Sequence, residues 1–200
     1  MTTVSLRERK KAGTRERILA EACALFSRKG IIAVTVEEIA IAAEVGKGTV
    51  YNYFSAKEDI VVAFLIELDR DAIERMALLP GDGMDTAEAL DAAAWSLLEH
   101  KAPYREFVRA FFARSFAPDN FAHEARDFQR ALDTALGALF DRMGCESGVA
   151  PPMSREDFVM SFKTMHFGIS AVWTFEGPPF AAARALCRRH MALLARGLVQ

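Results

Sequence analysis

Lys47, Gly48, Thr49, Tyr51, Asn52 and Tyr53 crowd into one short run, and a further cation, Lys57, follows it. These groups form hydrogen bonds and ion pairs, and none is a nucleophile paired with a base. The Asn52 amide can make two hydrogen bonds to an adenine edge, and Tyr51 can meet a thymine methyl or a phosphate. Thr49, Tyr53 and Lys57 can bond phosphate oxygens, as can the free backbone amides at a helix start. Thr35, upstream, can do the same across a groove, and Gly48 lets a backbone come close. The chemistry is recognition of a polyanion with readable edges, which is double-stranded DNA. An ordinary surface helix with two tyrosines lying on their neighbours, or a protein-interaction module, displays the same groups.

No catalytic set accompanies them. His100, His123, His166 and His190 are scattered, and no HExxH, GxSxG, P-loop or GxGxxG pattern occurs. His123, Glu124 and Asp127 suit a solvated face better than a metal site. The chain is not read as an enzyme, and no metal or cofactor is expected.

The elements that must hold the polar run follow from periodicity. Thr14 to Lys29 places Ile18, Ala22, Leu25 and Phe26 on one helical face, and Gly30 supplies the stop. Thr35 and Glu38 form a capping box that opens a helix with Val36, Ile39, Ala40 and Ala43 on one side. That helix must end near Glu44-Val45-Gly46. The next, Lys47 to Phe54, turns Val50 and Phe54 inward with Val45. At about 100° per residue, Gly48 and Asn52 then point outward, with Thr49, Tyr51 and Tyr53 on the flanks. Helices this short need a shared core, which is the plan of a helix-turn-helix unit. Ser55 and Glu58 offer a second capping box for a long helix to about Leu79. After the break at Pro80-Gly81-Asp82-Gly83, helical periods continue at roughly 85–100, 103–116, 119–143, 154–175 and 179–198, with no alternating strand pattern. Cys145 to Met153 reads as a loop. The expected fold is all-α: a flexible basic arm at 1–13, a helix-turn-helix DNA-binding domain at 14–60, and a helical body at 61–200.

The 200 residues are 52% hydrophobic and 26% charged, which excludes a disordered chain. The net charge of −2 hides a split, since residues 1 to 17 hold six basic against two acidic side chains. A polyanion-binding end and a solvated tail predict the same excess. No signal peptide or membrane span is evident, and three scattered cysteines without CxxC spacing suit reduced thiols, so the expected location is cytoplasmic and no membrane partner is implied.

The run Ile39 to Lys57, IAIAAEVGKGTVYNYFSAK, resembles the signature of the tetracycline-repressor (TetR) family of transcriptional regulators. The matching elements are Ile39-Ala40, Ala43, Val45, Lys47-Gly48-Thr49, Tyr51, Tyr53-Phe54 and Lys57-Glu58, and upstream Arg15, Ile18, Ala22, Leu25, Phe26 and Gly30. Two departures are Glu44, where the family often has glycine, and Gly46, where it often has a capping serine. The resemblance implies that Thr49, Tyr51, Tyr53 and Lys57 contact DNA, with Lys47 and Gly48 at the opening of the reading helix; Asn52 falls at a position that varies in the family. It also implies a repressor that binds a palindromic operator as a homodimer and is released by a small hydrophobic or aromatic effector. A regulator without a ligand remains the alternative.

The body carries features that fit. Phe158, Phe162, Met165, Ile169 and Val172 form one stripe of the 154–175 helix, and Val159, His166 and Trp173 form another, so the helix needs cover on two sides. Its own domain supplies one. A second copy joined through helices 154–175 and 179–198, the family's dimer bundle, supplies the other; a buried central helix of a monomer gives the same pattern. In the last helix Leu186, Leu193, Leu194 and Leu198 pack while Arg184 and Arg188 face outward. Candidate ligand-lining residues are Trp95, Phe107, Phe111, Phe112, Phe116, Phe128, Met165, His166 and Trp173, each of which also suits a plain core.

Overall fold

The computed structural model describes residues 5–76, 78–79, 83–115, 124–147 and 153–198, and every regular element among them is helical. In chain order these are α1 (Leu6–Lys29), α2 (Val36–Ala42), α3 (Lys47–Tyr53), α4 (Lys57–Met76), α5 (Thr86–Glu99), a 3-10 turn (Ala102–Tyr104), α6 (Arg105–Ser115), α7 (Glu124–Ser147), α8 (Arg155–Glu176) and α9 (Ala181–Arg196). None of the described helices is long and apolar enough to cross a membrane.

The first three helices close over one small core. Ile18, Ala22 and Phe26 of α1, Ile39 and Ala43 of the α2 segment, and Val50 with Phe54 after it are all buried. Gly30, at φ +78°, ends α1, and its amide donates to the Phe26 carbonyl at 2.8 Å. The Thr35–Glu38 capping box forms as expected. The turn out of α2 is a Schellman motif: the amide of Val45 reaches the Ala40 carbonyl at 2.9 Å and that of Glu44 the Ile41 carbonyl at 3.1 Å. The left-handed position in that motif is Glu44, at φ +53°, where glycine is the unstrained choice. Gly46 caps α3 without a side-chain bond.

Three boundaries differ from expectation. The helix α1 begins at Leu6, so residues 6–13 extend it instead of forming an arm. That stretch lacks an apolar period, but its Arg, Lys, Glu and Ala residues are strong helix formers, and Thr14 bonds the Lys10 carbonyl at 2.9 Å. The long connector starts at Lys57, which moves its cap one residue on: the Ala56 amide donates to Asp59 Oδ2 at 3.0 Å, in place of a Ser55–Glu58 box. Cys145 lies on α7, since that helix runs to Ser147.

In the body, α4 is the shared wall. It packs on α1, α5, α6 and α7, while α5 lies against α9 and α8 pairs with α9. An aromatic seam joins head to body. Phe26 of α1 meets Phe107 of α6 edge-on at 5.8 Å, Phe107 meets Phe64 of α4 at 5.4 Å, and Phe64 meets Tyr104 at 4.9 Å. The α8–α9 corner is held by Glu176, whose carboxylate accepts the Ala182 and Ala183 amides at 2.7 and 2.8 Å and so caps α9. Trp173 is fully buried there and stacks on Phe180 at 4.9 Å.

Candidate nucleic-acid interface and ligand cavity

The head presents the polar run much as its periodicity predicts. Lys47, Gly48, Tyr51 and Asn52 are exposed, Thr49 and Tyr53 are half-buried, and Val50 fastens the helix from beneath. Nothing stands within 4 Å of where a Gly48 side chain would begin, so that edge of α3 is open. Lys47 lies 3.7 Å from Glu37, an exposed pair that a phosphate can replace at little cost. On α1, Arg9, Lys10 and Lys11 all face solvent.

Two expected contacts have other work. The Lys57 ammonium donates to the carbonyls of Ile31, Ile32 and Val34 at 2.8, 3.1 and 3.0 Å. Its three hydrogens are thus engaged in tying the start of α4 to the α1–α2 loop, a different role from the phosphate contact expected of it. The Thr35 hydroxyl takes the Glu38 amide at 3.2 Å and faces the Glu38 carboxylate at 3.1 Å, so its chemistry belongs to the cap. Glu38 is the hub: Lys29 at 2.6 Å, then the Thr35 amide and hydroxyl, lower its pKa to about 2.

The outward face of α8 and α9 is apolar. Met160, Val172, Phe175 and Leu193 are all exposed, with Phe175 at 72% and Leu193 at 56%. Val172, expected in a stripe with Phe158, Phe162 and Ile169, and Leu193, expected to pack, are exposed, while Phe158, Phe162, Ile169 and Trp173 form the buried inner stripe. Arg184, expected outside, instead forks onto Asp91 and lies 4.8 Å over the Trp95 ring.

In the body, α4, α5, α6, α7 and α8 border a partly open cavity of about 400 Å³. Of the candidate lining residues, Phe111, Phe112, Phe128 and His166 border it. Four others belong elsewhere: Phe107 in the aromatic seam, Trp95 under Arg184, Trp173 against Phe180, and Met165 packed against the core beside the cavity rather than on its wall. Phe116 falls outside the described residues. Burial, then the charge of Lys101, pushes the His166 pKa down to about 4, against the pull of Asp69 and an Ala94 carbonyl, so the ring is neutral. Its Nδ1 is 3.4 Å from the Ser170 hydroxyl, which donates to the His166 carbonyl at 2.7 Å.

The cavity also holds an ion pair that sequence reasoning missed. Asp69 and Lys101, 5% and 8% exposed, lie 2.7 Å apart in its wall. Asp69 could have been found: with Val62, Leu65 and Ile66 it continues the i, i+3, i+4, i+7 stripe of α4, where a carboxylate is out of place. Lys101 lies in the turn after α5 and follows no period. A second depression of about 430 Å³, between α4 and α7, is bordered by Arg15, Glu67, Arg70, Glu74 and Asp127, too charged to attract an apolar ligand. No group of three potential metal ligands occurs among the described residues.

Residues 18–64 match the family described as bacterial regulatory proteins, tetR family. The HTH-type transcriptional repressor NicS of Pseudomonas putida is 24% identical over 148 residues, covering 74% of this chain and 69% of that repressor. The TetR-family repressor FadR of Thermus thermophilus, solved in complex with lauroyl-CoA, superposes with a TM-score of 0.76 at 24% identity over 93% of this chain and 95% of that one. FadR of Bacillus subtilis, solved in complex with stearoyl-CoA, gives a TM-score of 0.66 at 19% identity over 91% of this chain and 98% of that one.

Proposed function

Because this chain belongs to the tetR family of bacterial regulatory proteins, we propose that it is a ligand-responsive repressor. Two copies bind a palindromic operator, and a small hydrophobic molecule in the body releases them. The observation that carries this reading is one helix with two duties. α4 borders the cavity through Val62, Leu65, Ile66 and Asp69, and through Lys57 it grips the α1–α2 loop of the head. A change in cavity contents can therefore act on the head through α4.

DNA contacts fall to Lys47, Gly48, Thr49, Tyr51, Asn52 and Tyr53, with Arg9, Lys10 and Lys11 of the α1 extension able to reach flanking phosphates. The exposed apolar face of α8 and α9 supports a four-helix interface between two copies, which sets two reading heads on one duplex. Half-sites one turn apart, about 34 Å, demand a fixed spacing of the heads. A tilt of α4 that alters this spacing by a few ångströms removes affinity, and about 1–3 kcal/mol of coupling is enough to change occupancy. The relatives are described as regulators, and although the Ser170 hydroxyl lies 3.4 Å from His166 Nδ1 in the cavity wall, it gives its proton to the His166 carbonyl at 2.7 Å. Since the two FadR repressors carry acyl-CoA thioesters, acyl compounds are the first effector class to try.

Selection of bound duplexes from a random pool tests the reading. A two-fold symmetric consensus is expected. An asymmetric site or no enrichment overturns it. A ligandless regulator remains the second reading if apolar compounds leave both melting and operator binding unchanged.

A further inference from the structure

The ion pair in the cavity wall deepens this reading, and the inference rests on the cavity being the effector site. We infer that the effector is an amphipathic acid, with an apolar body among the phenylalanines and a carboxylate that docks on Lys101 and displaces Asp69.

The side of this pair left open to a ligand is the donor. Asp69 is the only partner of the Lys101 ammonium among the described residues, which leaves two of its three hydrogens free. The other cation on the wall, Lys163, is 2.7 Å from Asp133 and already paired. Ser170 gives its proton to a backbone carbonyl. The one carboxylate on the wall, Asp69, holds Lys101 through Oδ2 and turns Oδ1 to His100. A ligand amine would lie against the Lys101 ammonium and compete with it for Asp69. A ligand carboxylate finds a buried ammonium with two free hydrogens in a largely apolar cavity, where a charge-assisted bond is strong.

The same geometry ties occupancy to α4. His100 lies 3.2 Å from Asp69 Oδ1, but its Nδ1 is 2.7 Å from the Ser96 carbonyl. Lys101, at 2.7 Å, is the nearer of the two partners of Asp69. When a ligand carboxylate takes Lys101, Asp69 is left as a buried anion on the middle of α4, and α4 must shift to bring it to water or to another donor. Lys101 also opens the turn that carries Tyr104 and leads to Phe107, and these two rings contact Phe64, with Phe107 reaching Phe26 in the head. One displaced carboxylate therefore acts on both sides of the head–body seam.

Calorimetry of the full chain against decanoate, decanol and decylamine tests this. The cavity volume of about 400 Å³ lies at the small end of ligand sites, which suits chains of this size. Decanoate should bind at least about tenfold more tightly than decanol, with decylamine weakest. The neutral double variant Asp69→Asn with Lys101→Met should lose the acid's advantage while decanol binds as before. Asp69→Asn alone should tighten decanoate and weaken operator binding without ligand. Equal binding of acid and alcohol, or an acid preference that survives the double variant, overturns the inference but leaves the cavity as an effector site. Binding of decanoyl-CoA with decanoate silent also overturns it, and moves the polar head outside. If none of these compounds binds, the effector reading of the cavity itself falls. Should the double variant fail to fold by circular dichroism, decanoate against decanol on the unaltered chain still decides.

Discussion

Replacing Lys57 with methionine separates two roles that lysine can play at this position. The ammonium holds the carbonyls of Ile31, Ile32 and Val34 at 2.8, 3.1 and 3.0 Å. A hydrogen bond with a charged partner is worth about 1.5–3 kcal/mol when it is lost. The Ile32 bond is exposed, so water replaces it and it adds little; the other two are partly buried. Discounting those for the water that can also reach them leaves an expected loss of about 2–4 kcal/mol. For a chain of this length each kcal/mol moves the melting temperature by about 2–4 °C, so Lys57→Met should melt several degrees lower. The salt dependence of operator binding should keep its slope, because no phosphate contact has gone. Thermal melts and a fluorescence salt titration on the same variant read both quantities. Unchanged melting together with a slope reduced by about one unit would refute the anchor and return Lys57 to the DNA surface.

Glu44→Gly should raise stability by about 1 kcal/mol, since a left-handed residue at φ +53° loses its side-chain penalty; Glu44→Ala should bring no such gain, and urea titration of the two compares them. Placing aspartates at Val172 and Leu193, which are 39% and 56% exposed, should leave each copy folded but drive sedimentation to the 22.1 kDa monomer. Operator affinity should then fall by about a hundredfold as the two heads lose their linkage, and an unchanged dimer would remove α8 and α9 as the interface. Glu38 sets a pH dependence. Its folded pKa, lowered to about 2, lies below the ordinary 4.5, so its contribution is complete above about 4.5 and lost as pH falls toward 2. Glu38→Gln should flatten that part of the stability curve in acid-unfolding experiments.

Local pattern carried the head almost whole. The apolar positions Ile18, Phe26, Ile39, Val50 and Phe54 are buried as their spacing requires, because helices of two turns have one way to bury one stripe. The exposed edge of α3 follows from the same period. Lys57 escaped this logic, because three carbonyls more than twenty residues upstream claim its ammonium, and no periodicity reports which backbone groups a fold leaves without partners. Phe107 and Trp173 escaped it for a related reason: apolar rings on a helix lower the free energy equally in a seam, a core or a cavity wall.

The amino-acid sequence by itself determined the all-helical character, the three-helix head and the residues that head turns outward, since each rests on contacts a few residues apart. Tertiary structure alone decided which face of α8 looks inward and which aromatic rings border empty space. It also decided that Asp69 meets Lys101, 2.7 Å away, in the wall of a largely apolar cavity. That pairing needs α4 and the end of α5 brought together by the burial of their neighbours. No local preference of either residue contains it.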